Sequence, residues 1–296
     1  MGCSTERTIE KVPDKNKGLP ACRLTISLTN EVDSLIPYNS KKLLLGGNDE
    51  FQILDYDTKN ITTISKEHKG RINSLIKLKD NKIASASADN TIKIWDIEKK
   101  ECLNTLEGHT SMLWDIKYIT EDKIISGADD NTSRLWNLKD NSSILFYKSK
   151  RQISSIALLS DNKILLSSGK NILLFNLDTK EQITFLELTV WTLKTLKNGD
   201  VAAGGKNLYI LKITDEIKIK TEFAKGHKTT ISGIIELDNE LLVTHSDDKE
   251  LILWDRTDPE SIYLIEGHQD SVTSLCLIEG NKFASVSIDK TLKIWE

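Results

Sequence analysis

Short segments in which apolar residues alternate with polar ones recur along this chain. Residues 91–96 and 291–296 show the pattern, and clusters of Asn, Asp and Gly separate such segments from one another. Alternation over a few residues is typical of a β-strand with one buried face, whereas an amphipathic helix places apolar residues three and four positions apart. The pattern therefore predicts an all-β protein and disfavours a helical repeat.

The alternating segments also repeat at long range. Four near copies end in a tryptophan-containing strand, and three weaker copies bring the number to seven. Aligned at their last aromatic or leucine, successive copies lie 36 to 43 residues apart, at Leu54, Trp95, Trp136, Phe175, Leu211, Trp254 and Trp295. A period of this length accommodates four short strands, so the chain is predicted to contain seven four-stranded units.

Four of the seven units share a stricter spacing. In each, a His stands 27 residues before the Trp, a Ser or Thr follows the His by 17 positions, and an Asp follows it by 21. The four sets are His68, Ser85, Asp89 and Trp95; His109, Ser126, Asp130 and Trp136; His227, Thr244, Asp248 and Trp254; and His268, Ser285, Asp289 and Trp295. Chance does not produce four repetitions at constant spacing.

At these residues the sequence resembles the WD40 repeat family. The family signature is matched by Gly-His pairs at Gly108, Gly226 and Gly267 and by Trp-Asp pairs at Trp95 and Trp254. The resemblance covers residues 23–296 and implies a seven-bladed β-propeller of four-stranded antiparallel blades. It also implies a hydrogen-bonded tetrad of His, Ser or Thr, Asp and Trp in each well-formed blade, in which every buried polar group has a partner.

Three units depart from the family pattern, and the two chain ends bear on ring closure. Asn48, Gly169 and Gly205 replace the tetrad Asp, with no His at the matching distance, so we expect degenerate blades there. The last unit stops after its third strand, and the alternating residues 23–28 precede the first unit. We expect this N-terminal segment to complete the last blade, because an open ring would leave strand edges unpaired.

Charge and cysteine usage narrow the possible partners and compartment. The chain has 40 Lys and Arg against 44 Asp and Glu, a net charge of -4, which disfavours nucleic acid as a partner. Its four cysteines show no paired or metal-binding spacing, and no apolar run suits a signal peptide or a membrane span. We therefore expect a cytoplasmic protein whose membrane attachment, if any, is peripheral.

The recurrence of Ser, His and Asp raises the question of a hydrolase triad. A nucleophile needs one exposed site with a general base and an oxyanion pocket, whereas four copies of a mutually saturated network point to structure. We predict no enzyme activity, no cofactor and no metal site. His245, directly after Thr244, is expected to lie on a sheet face and not to act as a ligand.

Two tryptophans, Trp114 and Trp191, belong to no tetrad. Each flanks the apolar anchor of a predicted first strand, a position that in similar propellers faces the narrow top of the central channel. We expect both to be exposed there as the hydrophobic centre of a partner site; burial between blades is the alternative. The predicted partner-binding residues are Arg71, Asn73, Met112, Trp114, Asp129, Gln152, Thr189, Trp191, Asp247 and Ile288. Further residues predicted on this face are Glu31, Asp33, Ser154, Thr230, Ser232, Ser271 and Thr273.

The predicted face is polar and acidic, with Arg71 as its one cation, and so suits a basic or Lys-containing segment of a protein partner. We interpret the chain as a non-catalytic scaffold or adaptor and as a subunit of a larger complex. The alternative is a substrate receptor of a ubiquitin ligase. A receptor that recognises phosphate, however, needs several converging arginines.

The N-terminal residues 1–20 are polar and of mixed charge, and we interpret them as a flexible tail before a propeller spanning residues 21–296. After removal of Met1, Gly2 and Cys3 are candidate sites for myristoylation and palmitoylation, the two lipid signals that stable anchoring requires. Glu6 departs from the acylation motif, which prefers Ser or Thr at that position.

Overall fold

The computed structural model describes residues 20–296, which form seven four-stranded antiparallel sheets. This confirms the predicted seven-bladed β-propeller. The candidate acylation sites Gly2 and Cys3 lie outside the described residues. In the described part of the chain, no helix has the length and apolar character needed to cross a bilayer.

The sheets are numbered as blades in chain order, after an N-terminal strand β1 (Cys22–Ser27). Blade 1 contains β2 (Val32–Pro37), β3 (Lys42–Gly47), β4 (Phe51–Asp55) and β5 (Asn60–Ser65), and blade 2 contains β6 (Ile72–Lys77), β7 (Lys82–Ser87), β8 (Ile92–Asp96) and β9 (Glu101–Leu106). Blade 3 contains β10 (Leu113–Thr120), β11 (Lys123–Ala128), β12 (Thr132–Asn137) and β13 (Ser143–Lys148), and blade 4 contains β14 (Ile153–Leu158), β15 (Lys163–Ser168), β16 (Asn171–Asn176) and β17 (Gln182–Glu187). Blade 5 contains β18 (Val190–Thr195), β19 (Val201–Gly205), β20 (Leu208–Ile213) and β21 (Ile217–Phe223), and blade 6 contains β22 (Ile231–Glu236), β23 (Leu241–Ser246), β24 (Leu251–Asp255) and β25 (Ile262–Ile265). Blade 7 contains β26 (Val272–Glu279), β27 (Lys282–Ser287) and β28 (Thr291–Trp295).

The first strands of the blades surround a central channel, and each contacts the first strands of its two neighbours, with β26 meeting β2. The N-terminal strand β1 pairs with β28 as the fourth strand of blade 7, with Leu24 opposite Ile294 and Ile26 opposite Leu292. The predicted closure by the N-terminal segment is thus confirmed. The first and last strands of the propeller are therefore joined within blade 7.

The hydrophobic core lies between neighbouring blades. One cluster, for example, packs Ala84 and Ile92 of blade 2 against Leu113 and Ile124 of blade 3. Second strands are sandwiched on both faces, so beyond their first residue they consist almost entirely of small and apolar residues, which are buried. A single blade could not bury its two faces alone, which is why the repeats specify a ring.

The degenerate blades 1, 4 and 5 are complete four-stranded sheets, as predicted. In blade 4, Phe175 stands at the position of the tetrad tryptophan and packs against Tyr147 and Phe146, with ring centroids 4.7 Å and 5.6 Å away. Apolar contacts therefore stabilise this blade where blades 2, 3, 6 and 7 have a polar network.

Side-chain hydrogen bonds fasten one blade to the next near the start of the first strands. Their acceptors are backbone carbonyls of the first strand of the following blade, and the pairs are Ser34 to Ile72, Asn73 to Leu113, Ser167 to Val190, His245 to Val272 and Thr273 to Val32. The last pair joins blade 7 to blade 1. The predicted site residue Asn73 thus uses its amide to hold two blades together.

His245 makes one of these links from a fully buried position, with Nδ1 donating to the Val272 carbonyl oxygen at 2.7 Å. Burial lowers the pKa of His245 to about 4, because desolvation of the imidazolium outweighs the stabilising effect of that carbonyl. Space around the ring is tight, since a Cβ on Gly233 would lie 2.2 Å from its Nε2 atom. His245 is therefore neutral in the folded protein at neutral pH.

This burial predicts a pH dependence of stability. Between pH 6.5 and about 4 the unfolded chain binds a proton at His245 that the folded protein does not, so stability should fall as the pH is lowered through this range. The expected contribution is about 3 kcal/mol. Chemical denaturation of wild type and of His245→Ser across this range measures it. Ser167 makes the same link in blade 4, so the variant should keep the hydrogen bond and show a flatter pH profile. Equal slopes would exclude the titration of His245.

Candidate protein-binding face

The structure brings together the four sets of His, hydroxyl, Asp and Trp residues. In blade 3, His109 Nδ1 lies 2.8 Å from Asp130, His109 Nε2 lies 2.7 Å from Ser126 Oγ, and Trp136 Nε1 donates to the same oxygen at 2.8 Å. Blades 2, 6 and 7 repeat the network with matching distances of 2.7–2.9 Å. In blades 6 and 7 the residue before the His has to be glycine, since a Cβ on Gly226 or Gly267 would lie 2.2 Å or 2.7 Å from the tryptophan ring.

The electrostatics of these tetrads suit a structural role. Burial opposes ionisation of Asp130, but hydrogen bonds from Thr132, the Thr110 backbone and His109 outweigh it and hold the pKa of the carboxyl below its ordinary value. Burial lowers the pKa of His109, which Asp130 partly offsets. A neutral His109 then donates from Nδ1 to the carboxylate and accepts from Ser126, whose oxygen also accepts from the indole. The hydroxyl is enclosed by these partners and has no room for a substrate carbonyl.

One group of potential metal ligands occurs in residues 20–296. Single ligand atoms of His227, Asp248 and Glu250 lie within 4.8 Å of one another. His227 Nδ1 already bonds to Asp248 at 2.9 Å, and the Lys228 ammonium bonds to Glu250 at 2.5 Å. We therefore assign this cluster to the blade 6 tetrad and its lysine neighbour.

A cavity of about 530 Å³ fills the central channel. We call the end at which the first strands begin the channel mouth. Six of the predicted partner-binding residues line the cavity, namely Arg71, Asn73, Met112, Trp114, Trp191 and Asp247. The remaining four, Asp129, Gln152, Thr189 and Ile288, do not line it; Asp129, Thr189 and Ile288 are exposed and Gln152 is half-buried.

The two tryptophans without a tetrad meet each other at the channel mouth. Trp114 of blade 3 and Trp191 of blade 5 make an edge-to-face contact with ring centroids 5.1 Å apart, so they reach across blade 4. Both side chains are half-buried. They are therefore less exposed than predicted, but they are not shielded from solvent as the alternative of packing between blades would require. The Trp114 indole nitrogen is shielded from solvent and has no hydrogen-bond partner among residues 20–296, although buried indole N–H groups usually find one.

The carboxylate of Asp33 lines the same cavity and has one oxygen atom that accepts no hydrogen bond from the described residues. Arg71 approaches Asp33 at 3.7 Å, a loose ion pair through Oδ1, while Asp33 Oδ2 is buried and has no hydrogen-bond partner in the part of the chain that the structure describes. Burial raises the pKa of Asp33, and the positive charge of Arg71 opposes this rise. The channel mouth thus combines the Trp114–Trp191 pair with two buried polar groups that lack a hydrogen-bond partner among residues 20–296. The acceptor is Asp33 Oδ2, and the donor is the Trp114 N–H group.

Two charged residues deeper in the channel were not predicted from the sequence. Lys117 and Lys194 occupy the fifth position of β10 and β18 and line the same cavity, whereas Ile36, Ile76 and Ile235 are their counterparts in blades 1, 2 and 6. The signal was available in the sequence, since a lysine stands where other repeats have an apolar residue.

This architecture defines a seven-bladed β-propeller with a cavity in its central channel. The model of the family described as "WD domain, G-beta repeat" matches residues 58–96, 100–137 and 259–296. Three segments of this chain thus match the WD40 repeat, and residues 20–296 form a seven-bladed β-propeller.

The chain is also similar to several named proteins over part of its length. The chain is 28% identical over 140 residues to the guanine nucleotide-binding protein subunit beta of Schizosaccharomyces pombe, a match that covers 44% of this chain and 45% of that protein. It is 41% identical over 58 residues to human WD repeat-containing protein 37, covering 19% of this chain and 12% of that protein. A third match is to cell division control protein 4 of Saccharomyces cerevisiae, with 25% identity over 93 residues, 31% of this chain and 12% of that protein. The chain thus spans less than half the length of each of these relatives.

Proposed function

We propose that this protein is a non-catalytic scaffold that binds a basic or Lys-containing segment of a protein partner at the channel mouth. The observation that carries the proposal is the Trp114–Trp191 pair beside the under-used carboxylate of Asp33. The relative from Schizosaccharomyces pombe is by its name a subunit of a larger protein, which supports a role within a complex.

The aromatic pair supports binding because it contributes little to the fold. Neither indole belongs to a tetrad or to a described hydrophobic core cluster, and each keeps part of its surface accessible at the cavity. Large aromatic side chains at the centre of an interface supply much of its binding energy. A partner that covered the pair would also supply an acceptor for the Trp114 N–H group.

The charge around the pair favours a cation. Asp33 and Asp247 line the cavity near its mouth, and the arginine at this end, Arg71, is already turned towards Asp33. A Lys or Arg side chain of a partner would compensate the remaining negative charge, and it could lie over an indole face. Among the cavity-lining residues in the described range, Arg71 is the one arginine, which disfavours the alternative of a phosphate-recognising ubiquitin-ligase receptor.

The double substitution of Trp114 and Trp191 by alanine tests the aromatic pair. We expect the melting temperature to change little and the partner affinity to fall by about 2 kcal/mol or more, which is roughly thirtyfold in Kd. Proximity labelling with the wild type and the double variant identifies the partners that depend on the pair, and titration of their basic segments gives Kd. Phe185→Ala is the matched control, because Phe185 is 58% exposed on β17 and lies outside the cavity.

The same titrations examine the charge preference. Asp33→Asn should weaken binding of a basic segment and reduce its sensitivity to salt, since one carboxylate charge is removed. A large melting loss in the tryptophan variant, with partner binding retained in the folded fraction, would show that the pair serves the fold. Tight binding of an acidic segment would contradict the charge assignment.

We further propose a cytoplasmic location, and acylation at Gly2 and Cys3 stays a prediction. Metabolic labelling with a clickable myristate analogue, compared with Gly2→Ala, tests it. Membrane association that survives this substitution would exclude the lipid anchor.

A further inference from the structure

The deeper half of the channel differs in charge from its mouth. Lys117 and Lys194 line it at the fifth position of their strands, among the apolar side chains of Ile36, Ile235 and Leu275. A second cavity of about 450 Å³ adjoins this end of the channel, and Lys194 lines both cavities. Its side chain is exposed to the solvent of these cavities, although many protein atoms surround it, so an incoming molecule can reach it.

Most cations of the two cavities have a carboxylate partner. Lys117 bonds to Asp115 at 2.6 Å, Arg71 approaches Asp33 at 3.7 Å, and the outer Lys197 bonds to Asp238 at 2.7 Å. The Lys194 ammonium, by contrast, has neither an ion pair nor a hydrogen bond with any residue in the 20–296 range.

The carboxylate that acts on the Lys194 ammonium, that of Glu236, already has other hydrogen-bond partners. Glu236 acts on Lys194 from β22, but its carboxylate oxygens accept from Arg256 at 3.0 Å and from the Lys197 backbone at 2.8 Å. Surrounding protein desolvates the ammonium and lowers the pKa of Lys194, and the positive charge of Lys117 lowers it further. The cation is thus held in a place that favours an incoming negative charge.

We infer that the deeper channel is a binding site for a single carboxylate group, held by Lys194 with Lys117 beside it. One carboxylate matches the charge, because Asp115 neutralises Lys117 and leaves the unpaired Lys194. A phosphate dianion would bring a second negative charge with no unpaired cation to meet it among the described lining residues. The alkyl part of the ligand would pack against Ile36, Ile235 and Leu275.

The depth of the site restricts where the carboxylate comes from. Lys194 lies three residues beyond Trp191 on β18, which is about 10 Å along the strand. An acidic side chain of a segment docked on the tryptophans could not span this distance. The source is therefore a small free carboxylate or the carboxyl terminus of a chain inserted into the channel. This site is independent of the function proposed for the channel mouth.

Competitive acylation read by mass spectrometry tests the site directly, because an amine reacts only when neutral. At mildly alkaline pH in sodium chloride, Lys194 should react faster than Lys197. Replacing about 100 mM chloride with propionate should slow the labelling of Lys194 at least threefold, since half a pKa unit changes the neutral fraction about threefold. Lys197, bonded to Asp238 on the outside, is the internal control. Acetylated pentaglycine with a free carboxyl terminus, compared with its amide, distinguishes an inserted chain end from a small carboxylate.

Protection of Lys194 by either carboxylate source supports the proposal. Equal effects of propionate on Lys194 and Lys197, together with equal effects of the acid and amide peptides, would overturn it. Stronger protection by phosphate than by propionate would overturn the assignment to a single carboxylate. A thermal-shift series is the second measurement. Propionate should raise the melting temperature of wild type and of Lys197→Gln relative to chloride, and this rise should be absent in Lys194→Gln.

Discussion

Deletion of residues 1–28 is expected to lower the free energy of unfolding by about 3–6 kcal/mol, because it removes the fourth strand of blade 7. Ile26 and Leu28, which are 5% and 8% exposed, would no longer pack in the core they share with Leu292 and Ile294. Burial of each such side chain stabilises a protein by about 1.5–3 kcal/mol. The loss is a large part of the 5–15 kcal/mol that stabilises a typical domain.

The truncation should also open the ring and expose β28 as an edge. β1 and β28 are joined by backbone hydrogen bonds along their length, and the Leu28 N–H adds one to the Lys290 carbonyl oxygen at 2.8 Å. An unpaired edge promotes association, so concentration-dependent light scattering should accompany the lower denaturation midpoint. Deletion of residues 1–20 is the matched control, since it keeps β1 and Ala21, which bonds to Glu296. Identical unfolding of the two truncations would show that β1 does not hold the ring closed.

The sequence predicted the fold well because the repeat determines each blade. Every unit carries the same succession of strands and turns, so even blades without a tetrad could be recognised by their buried second strand. The exact strand ends of those blades depend on tertiary contacts. In blade 5, for example, β19 starts at Val201, and the buried Asp200 directly before it attracts Lys212 and Lys220 at 3.6 Å and 3.0 Å.

The contacts of the channel could not be predicted to the same degree. Which side chains point to the channel follows from the position within the first strand, and this reasoning identified Trp114 and Trp191. Their contact across blade 4 depends on the width of the channel and on side-chain rotamers, which no repeat pattern encodes. The unpaired state of Lys194 is likewise a property of several blades together, and it is visible only once the ring is closed.

Asp130→Ala is expected to destabilise the protein by about 3–5 kcal/mol, although it removes only a small polar side chain. Asp130 accepts four hydrogen bonds, from His109, the Thr110 backbone, and both the backbone and the hydroxyl of Thr132, at 2.6–2.9 Å. A bond to a charged group contributes about 1.5–3 kcal/mol, and a buried donor left without a partner costs about 1–3 kcal/mol. His109 would keep only the longer contact of its Nδ1 with the Thr132 hydroxyl, at 3.2 Å, although its side chain is fully buried.

Asn48→Ala is the matched control for this substitution, because Asn48 stands at the corresponding position of blade 1 but is exposed. It should change the free energy of unfolding by no more than a few tenths of a kcal/mol, as is usual for surface positions. Asp130→Asn separates charge from geometry, since the amide keeps one acceptor oxygen and should recover part of the loss. Urea denaturation of the three variants measures the ranking. Equal destabilisation by Asp130→Ala and Asn48→Ala would mean that the network in blade 3 contributes no more than an exposed turn, and the structural role assigned to all four tetrads would then fail.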